Sequence, residues 1–350
     1  MSSQQRPGRL LVTGATGFIG SRLALHAHRN GIDVLATGRA ELEIEKDRLK
    51  ELQAADVPVQ VGVLQDVDFV RQLVRGRTTV IHLAAAQHES EMPPSYFHAV
   101  NVAVVQQLLE ECRNAGVERF IYGSTIGVYG AVANGALDET SPVQPDNIYT
   151  DTKLRAEELV CARAQDFQTC IVRIAETYGP GDQRLLKLFR AIDRGHFFMI
   201  GDGSNRHQCI HVHDLVQGLL LASQHAAAVG ETFVFAGREV LTTSDMVERI
   251  TLALDRKPPR LQLPMWPFLA AAAVMQATLQ PLRIQPPLHS RRLDFFRKSF
   301  VFSTAKSQRL LGFQPEIDFQ SGAAETARWY CARGYLPSRR SGEFPRTESA

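Results

Sequence analysis

The residues of this chain that could do chemistry include a tyrosine and a lysine four positions apart. Tyr149 and Lys153 lie in the segment NIYTDTKLRAEE and share one face if that segment is helical. A free phenol titrates near ~10, and an ammonium one turn away stabilises the phenolate and lowers that pKa. Such a tyrosine can donate a proton to a carbonyl oxygen, or accept one from an alcohol, as a hydride moves to or from a nicotinamide. Because this spacing also occurs by chance in many helices, the surrounding fold must support the prediction.

A glycine-rich turn near the N-terminus predicts where the nicotinamide dinucleotide would bind. The stretch LLVTGATGFIG places Gly14, Gly17 and Gly20 between an apolar run and a helix-like segment. Gly14 allows a tight turn, Gly17 lets the backbone approach a pyrophosphate, and Gly20 lets the helix pack close to the strand. The helix N-terminus then presents unpaired N–H groups to the anion. A purely structural turn is the alternative, but the position in the first strand–helix unit favours a phosphate.

The end of the second predicted strand, ATGRA, bears on the choice of dinucleotide. An acidic residue there would accept hydrogen bonds from the adenosine ribose. This chain instead has Gly38 followed by Arg39, a cation that suits a 2′-phosphate. Arg39 therefore favours NADP(H) over NAD(H), although an exposed loop arginine would look the same in the sequence.

The elements that must position these residues follow a regular alternation. The apolar runs LLVTG, IDVLATG, VPVQVGV, TTVIHLAA, RFIYGST and CIVRI each predict a buried parallel strand, with helical segments between them. This pattern predicts an α/β fold, a doubly wound parallel Rossmann-like sheet, in a dinucleotide-binding domain over residues 1–175. More frequent Gly and Pro residues indicate a smaller α/β substrate domain over 176–335, interleaved with the first. The polar tail, 336–350, is predicted to be disordered.

Several motifs, in this order, resemble the extended short-chain dehydrogenase/reductase superfamily, that is, the NAD-dependent epimerase/dehydratase family with its 3β-hydroxysteroid dehydrogenase-like members. They are TGATGFIG, VIHLAA, GVERFIYGSTIGVYG, the Tyr149–Lys153 pair, RIAETYGPGD, IHVHDL and LLGF. The resemblance covers most of the chain. It implies that Tyr149 is the general acid/base and that Lys153 binds the nicotinamide ribose and tunes Tyr149. It further implies that Thr125 orients the reacting oxygen, with Ser124 as its neighbour, and that Asn101 has a structural role.

The resemblance also implies a set of cofactor-binding residues and a homodimer built on helices that include the one carrying Tyr149. The predicted cofactor-binding residues are Gly14, Thr16, Gly17, Phe18, Ile19, Gly20, Arg39, Leu64, Ala84, Ala85, Tyr149 and Lys153. One departure concerns the third strand, which has Val63 where the family commonly has an aspartate near the adenine; Asp66 lies further on.

Two features bear on the substrate. Nucleotide-sugar epimerases and dehydratases usually have an asparagine where this chain has Glu176, and a carboxylate there would repel a pyrophosphate unless it is turned away or paired. The apolar stretch 263–282 predicts a buried or surface-lying helix and resembles the region near the hydrophobic substrate in the steroid dehydrogenase-like subgroup. Arginines follow it and could instead clamp a diphosphate. The predicted substrate residues are Ser124, Thr125, Glu176, Arg283 and Arg291, with Arg292 adjacent.

The composition of the chain limits the kinds of partner that it is expected to bind. A net charge of +2 over 350 residues favours neither nucleic acid nor membrane lipid. Five scattered cysteines and the lack of an apolar N-terminal segment indicate a cytoplasmic protein with reduced thiols. No stretch of the sequence is long and uniformly apolar enough to predict a transmembrane helix. His207, His211 and His213 could suggest a metal, but the IHVHDL element favours packing roles, so we expect no metal.

The sequence thus predicts an NAD(P)-dependent oxidoreductase that acts on a secondary alcohol or ketone, with a hydrophobic, steroid-like small molecule as the favoured substrate. A nucleotide-sugar epimerase or dehydratase is the alternative, because the same residues would oxidise a sugar carbon transiently. A dinucleotide-binding sensor without turnover is the third reading, disfavoured because such proteins typically lose the tyrosine–lysine pair.

Overall fold

A central sheet of seven parallel strands organises the computed structural model, which describes residues 8–87, 92–130, 135–279 and 293–337. The strands, in chain order, are β1 (Leu10–Thr13), β2 (Val34–Gly38), β3 (Val59–Val61), β4 (Thr79–His82), β5 (Arg119–Thr125), β6 (Gln168–Ile174) and β11 (Glu231–Phe235). Their order across the sheet is β11-β6-β5-β4-β1-β2-β3. This confirms the predicted Rossmann-like α/β fold.

Six short strands lie in the later part of the chain and pair with one another. They are β7 (Thr177–Tyr178), β8 (Met199–Ile200), β9 (Arg206–His207), β10 (Ile210–His211), β12 (Leu241–Thr242) and β13 (Gln262–Leu263). They form three two-stranded pairs, β10 with β7, β12 with β9 and β13 with β8.

The helices are α1 (Phe18–Arg29), α2 (Glu43–Ala54), α3 (Val67–Val74), α4 (Pro94–His98), α5 (Val104–Ala115), α6 (Ile148–Ala162), α7 (Leu186–Asp193), α8 (Val212–Gln224), α9 (Thr243–Ala253), α10 (Met265–Leu279), α11 (Ala305–Leu311) and α12 (Phe319–Ala332). A π-helical segment, Ala99–Ala103, joins α4 to α5. Short 3₁₀ turns lie at Ile126–Tyr129, Ala226–Ala228 and Asp294–Phe296.

Both faces of the sheet are buried, which explains the continuous apolar runs in the sequence. Alternate residues of β1 enter different cores: Leu10 packs into the cluster that includes α1 and α8, and Leu11 into the cluster that includes α3, α5 and α6. The order of the strands reverses between β1 and β4, so a crevice opens at their carboxyl ends, where α/β sheets bind ligands.

The later elements form a separate core but also return to the sheet. Side chains from α7, α9 and α12 pack together with Tyr178. In contrast, β11 lies at the edge of the main sheet beside β6, and α8 packs against α1. The domain division at residue 175 stays a prediction. Leu336, at the start of the predicted tail, is buried in the core of α7, α9 and α12, and residues 338–350 lie outside the described part of the chain.

The apolar stretch predicted as a helix forms α10. It packs one face on a small cluster with Phe198, Leu293 and Phe296. Among the residues that the structure describes, no helix is both long and apolar enough to cross a membrane.

Candidate active site

The glycine-rich turn has a geometry that leaves no room for a Cβ at any of its three glycines. Gly14 has a φ of 71°, and a Cβ there would lie 2.6 Å from the backbone nitrogen of Ala84, after β4. A Cβ at Gly20 would lie 2.2 Å from the carbonyl oxygen of Gly14. At Gly17 the nearest backbone oxygen would be 2.9 Å away. The turn is therefore closely packed between β1, α1 and the end of β4.

The start of α1 supplies the anion-binding groups that a dinucleotide needs. Gly17 is the N-cap residue, its lack of a side chain leaves the first N–H groups uncapped, and no acidic residue lies in the first turn. Thr16 is buried, and its hydroxyl would lie 2.3 Å from a Cβ at Gly38, which explains the glycine at the end of β2. The turn thus fits a bound pyrophosphate, and Phe18 and Ile19 begin the helix beside it.

Arg48 supports this turn and was missed by the sequence analysis. Its guanidinium donates to the carbonyl oxygen of Thr16 at 3.3 Å and to that of Gly181 at 2.9 Å. Burial lowers the pKa of Arg48 to about 10, with the neighbouring charge of Arg22 as a further cause, so the side chain remains protonated at neutral pH. No local pattern pointed to Arg48, because Gly181 is far away along the chain.

Tyr149 and Thr125 meet at the carboxyl end of the sheet. Thr125 is the last residue of β5, and Tyr149 lies in the first turn of α6. Asn147 caps that helix and accepts from the backbone N–H of Thr150 at 3.1 Å, which sets where the first turn begins. The Thr125 hydroxyl lies close enough to the Tyr149 phenol to lower its pKa. The fold therefore brings together two side chains that are distant in sequence.

Lys153 lies one turn further along α6 and is buried. Its ammonium donates to the carbonyl oxygen of Gly123 at 2.7 Å and lies 4.1 Å from the centre of the Tyr122 ring. Burial lowers the pKa of Lys153 to about 7, while Glu157 opposes this shift. A lysine that titrates near neutral pH has an unusually accessible uncharged form.

The pKa of Tyr149 departs from the sequence-based expectation. Burial raises it to about 12, and the hydrogen bond from Thr125 lowers it only in part. Lys153 was expected to lower this pKa, but its ammonium is directed to the backbone at Gly123 and is itself partly deprotonated near pH 7. The phenol of Tyr149 is therefore protonated at neutral pH.

The depressed pKa of Lys153 predicts a pH-dependent stability. Burial of the protonated lysine lowers the free energy of unfolding, and this destabilisation is fully present below pH 7. It disappears as pH rises from the folded pKa of about 7 toward the unfolded value of 10.5, because the native state then loses its proton first. Relative to Lys153→Met, the free energy of unfolding of the wild type should rise by up to about 1.4 kcal/mol per pH unit in this interval. Urea unfolding at several pH values checks this, and parallel curves for the two proteins would contradict it.

Ser124 and Asn101 have partners inside the protein. The Ser124 hydroxyl donates to Glu157, whose carboxylate forms a buried ion pair with Arg173 at 2.8 Å. Asn101 accepts from the backbone N–H of Ala86 at 2.8 Å and donates to the Thr152 hydroxyl on α6. Asn101 thus ties the loop after β4 to the helix of Tyr149, consistent with the structural role expected for it, whereas Ser124 as a substrate residue remains a prediction.

Glu176 is paired. Its carboxylate lies 2.9 Å from Nδ1 of the buried His207 and 3.8 Å from the guanidinium of Arg184. Although burial opposes it, the hydrogen bond from His207 and the charge of Arg184 lower the pKa of Glu176 to about 2. The group is therefore an ionised carboxylate at neutral pH. The sequence alone did not indicate Arg184.

The three histidines considered for a metal have separate partners. His207 pairs with Glu176, His211 accepts from the backbone of His213 as the cap of α8, and His213 packs edge-on against His26 with ring centres 5.5 Å apart. These side chains pack against different neighbours.

Of the other predicted cofactor and substrate residues, some lie within the described part of the chain and some lie outside it. Arg39 donates to the Tyr96 hydroxyl at 3.2 Å and lies 3.6 Å from Glu45, with Glu41 also close. Leu64 accepts at its carbonyl from Gln107, and Asp66 caps α3, while Ala84 and Ala85 follow β4. Arg283, Arg291 and Arg292 lie outside the described residues.

A parallel sheet with an uncapped glycine turn at its crevice is the arrangement of the dinucleotide-binding α/β class. Residues 10–236 match the NAD-dependent epimerase/dehydratase family, and the chain belongs to that family. Its relatives are NAD-dependent dehydrogenases, epimerases and dehydratases. Both the predicted family and the predicted enzymatic character are thereby confirmed.

Relatives with different activities share almost the same sequence identity with the chain. It is 29% identical over 348 residues to a 3β-hydroxysteroid dehydrogenase/Δ5→4-isomerase of Mycobacterium tuberculosis H37Rv, covering 92% of this chain and 90% of the relative. It is 28% identical over 337 residues to a dTDP-glucose 4,6-dehydratase of Streptomyces niveus, covering 92% of each. The solved structure of a dTDP-glucose 4,6-dehydratase double mutant from Streptomyces venezuelae, with NAD bound, matches with a TM-score of 0.75 and 25% identity, covering 95% of this chain and all of the other.

Proposed function

We propose that the chain is an NAD(P)-dependent oxidoreductase that interconverts a secondary alcohol and a ketone. The observation that carries this proposal is the position of Tyr149 beside Thr125 and one helical turn before the buried Lys153, at the carboxyl end of β5. The bound dinucleotide supplies the hydride acceptor or donor. This edge of the sheet also holds the glycine turn, so a substrate oxygen beside Tyr149 would lie at the same crevice as the cofactor.

The chain's own residues provide proton transfer and orientation. Tyr149, with its raised pKa, donates a proton to the oxygen of a ketone in the reductive direction and accepts it in the other. Thr125 orients that oxygen by a hydrogen bond, as it does the phenol. Lys153 lies one turn away, where its ammonium can move from Gly123 to a ribose hydroxyl and stabilise the phenolate.

A hydrophobic, steroid-like substrate is favoured over a nucleotide sugar by the surroundings of Glu176. This carboxylate is ionised, since its pKa is held near 2, and the guanidinium of Arg184 offsets its charge only in part, because their closest atoms are 3.8 Å apart. A diphosphate beside this pair would still meet the remaining negative charge, whereas a neutral, apolar alcohol would not. The apolar helix α10 and the steroid dehydrogenase relative support the same substrate class.

A nucleotide-sugar epimerase or dehydratase is the second candidate, and Arg184 favours it. Its guanidinium is 3.8 Å from Glu176 and partly exposed, so it offers a cation that could offset the carboxylate next to a diphosphate. The similarity to dTDP-glucose dehydratases supports this candidate equally well.

The experiment that separates these candidates follows the redox state of the dinucleotide. The purified protein is denatured and any released dinucleotide is identified by mass. The emptied protein is then supplied with NAD(P)⁺ and either sterols or nucleotide sugars. Stoichiometric NAD(P)H formation with a sterol supports the proposal. Tightly held NAD⁺, with sugar conversion and no net reduction, overturns it in favour of the second candidate, and binding without any turnover would indicate a sensor.

The cofactor preference rests on Arg39. This cation supports NADP(H), but Glu41 and Glu45 offset its charge, and the solved relative holds NAD. We therefore expect a small discrimination. Arg39→Gln should weaken NADPH binding by up to about tenfold and leave NADH binding unchanged, because only a 2′-phosphate uses the charge. Fluorescence titration of both dinucleotides checks this, and equal losses for both would show that Arg39 only shapes the loop.

A cytoplasmic homodimer is the proposed state of the protein. The dimer would use helices that include α6, and its mass in solution, measured by light scattering, tests it. All five cysteines are free thiols, which supports a reducing compartment.

A further inference from the structure

The helix α10 is apolar on the face that it exposes as well as on the face that it buries. Its sequence, MWPFLAAAAVMQATL, contains no charged residue. The exposed residues recur at helical spacing: Trp266, Ala270, Ala273, Val274, Ala277 and Thr278. The Trp266 side chain is 71% exposed and that of Val274 62% exposed. The Thr278 hydroxyl donates to the carbonyl oxygen of Val274, so its hydrogen-bonding capacity is turned inward.

A soluble surface helix normally carries polar residues on its outer face, so this apolar stripe needs an apolar environment. The buried side of α10 already has an apolar environment, since Phe268 packs against Phe198 with ring centres 6.0 Å apart. The exposed side has no such environment among the residues that the structure describes. The helix is also too short to span a bilayer, which leaves an environment that it can lie on.

Basic side chains lie near the start of α10. Lys257, Arg260 and His196 are exposed and line a shallow depression together with Phe198 and Leu261. Phe198 is the residue that contacts α10, so the depression adjoins the helix. The described residues 256–279 contain Arg256, Lys257 and Arg260 and no aspartate or glutamate, and of these Arg256 is paired with Asp193.

We propose that α10, with the adjoining basic depression, docks the protein on the surface of an anionic lipid bilayer. Trp266 and Val274 would enter the interface between headgroups and acyl chains, and Lys257 and Arg260 would contact lipid phosphates. An exposed tryptophan flanked by cations is the side-chain combination that bilayer interfaces favour. A second copy of the chain would have to cover the apolar stripe while bringing like charges together, and this disfavours a dimer there.

The aromatic residues beneath α10 extend toward the candidate active site. Phe296 packs against Phe295, and Phe295 packs against His207 with ring centres 4.9 Å apart. His207 is the partner of Glu176. A bilayer at α10 would therefore lie at the outer end of an apolar layer that leads to the predicted substrate residues. The docking itself does not rest on the proposed redox activity and is tested without substrate.

The test uses Trp266 as its own reporter. The chain has two tryptophans, and Trp329→Phe leaves Trp266 as the only tryptophan, whose emission is read with excitation at a wavelength that tyrosine does not absorb. The full-length protein is mixed with vesicles of phosphatidylcholine alone or with phosphatidylglycerol. We expect sedimentation with the anionic vesicles and a blue shift of the emission. Trp266→Gln/Val274→Gln, made in the wild-type background, should abolish sedimentation, and Lys257→Gln/Arg260→Gln should weaken binding by about fivefold per charge removed.

Controls separate docking from unfolding and from self-association. Val229→Gln replaces a valine that is 41% exposed elsewhere on the surface, and it should leave vesicle binding unchanged. All variants should bind dinucleotide as the wild type does, which shows that they are folded. No sedimentation of the wild type, equal binding to neutral vesicles, or a blue shift that grows with protein concentration in the absence of lipid would each overturn the proposal.

Discussion

Tyr149→Phe is expected to lower kcat by a factor of about 10²–10⁴ while leaving dinucleotide affinity unchanged. The substitution removes the hydroxyl beside Thr125 and keeps the ring that fills the space. Because burial raises the pKa of this phenol to about 12, it is protonated at neutral pH, and the substitution removes the proton that the proposal assigns to the reaction. Turnover of an accepted substrate and fluorescence titration of the dinucleotide measure the two quantities separately.

Tyr122→Phe is the matched control. Tyr122 lies on β5 like Thr125, and its hydroxyl is buried with no hydrogen-bond partner among the described residues. Its loss should therefore leave kcat within about twofold and should not destabilise the protein. If Tyr149→Phe retained full activity, the proposed acid/base role would be wrong and the protein would be read as a dinucleotide-binding sensor.

Gly14→Ala is expected to abolish dinucleotide binding and to lower the free energy of unfolding by more than about 3 kcal/mol. Two costs combine at this position. The φ of 71° strains any residue with a Cβ, and that Cβ would meet the backbone of Ala84 at 2.6 Å. The backbone cannot move aside without shifting the end of β4, which forms one side of the crevice. Urea unfolding and dinucleotide titration measure the two effects.

Gly31→Ala separates the steric contact from the backbone strain. Gly31 also has a φ of 71°, but a Cβ there would meet nothing within 4 Å. This variant should lose only about 1–2 kcal/mol and keep full dinucleotide affinity. Equal losses for the two variants would show that the contact with Ala84 contributes nothing, and the close packing of the turn would then not explain Gly14.

The features that could be predicted from the sequence are those whose cause lies within a few residues. The six predicted strands are present because two-sided burial produces continuous apolar runs. The glycine turn and the family motifs were likewise visible as short, ordered patterns. One helical segment between the predicted strands shows the limit of such local signals. Gly116, with a φ of 71°, is the C-cap of α5, whereas the π-helical segment before α5 places Asn101 toward Ala86.

The partners of charged side chains could not be predicted, because they depend on contacts between distant segments. The sequence showed that Glu176 departs from the pattern of nucleotide-sugar enzymes, but only the fold brings His207 and Arg184 to it. Arg39 was interpreted from its position at the end of β2, whereas the structure adds Glu45 and Tyr96 beside it. Each of these contacts changes the charge that a ligand would meet.

The amino-acid sequence by itself determined the class of fold, the family, and the spacing of Tyr149 and Lys153, since periodicity and turn chemistry act locally. Only the tertiary structure decided the direction of the Lys153 ammonium, the clamp of Arg48 on two loops, and which face of α10 remains exposed. The physical reason is the same in all three cases. Burial and long-range hydrogen bonds set the charge and surroundings of a side chain, and both exist only once distant segments have packed together.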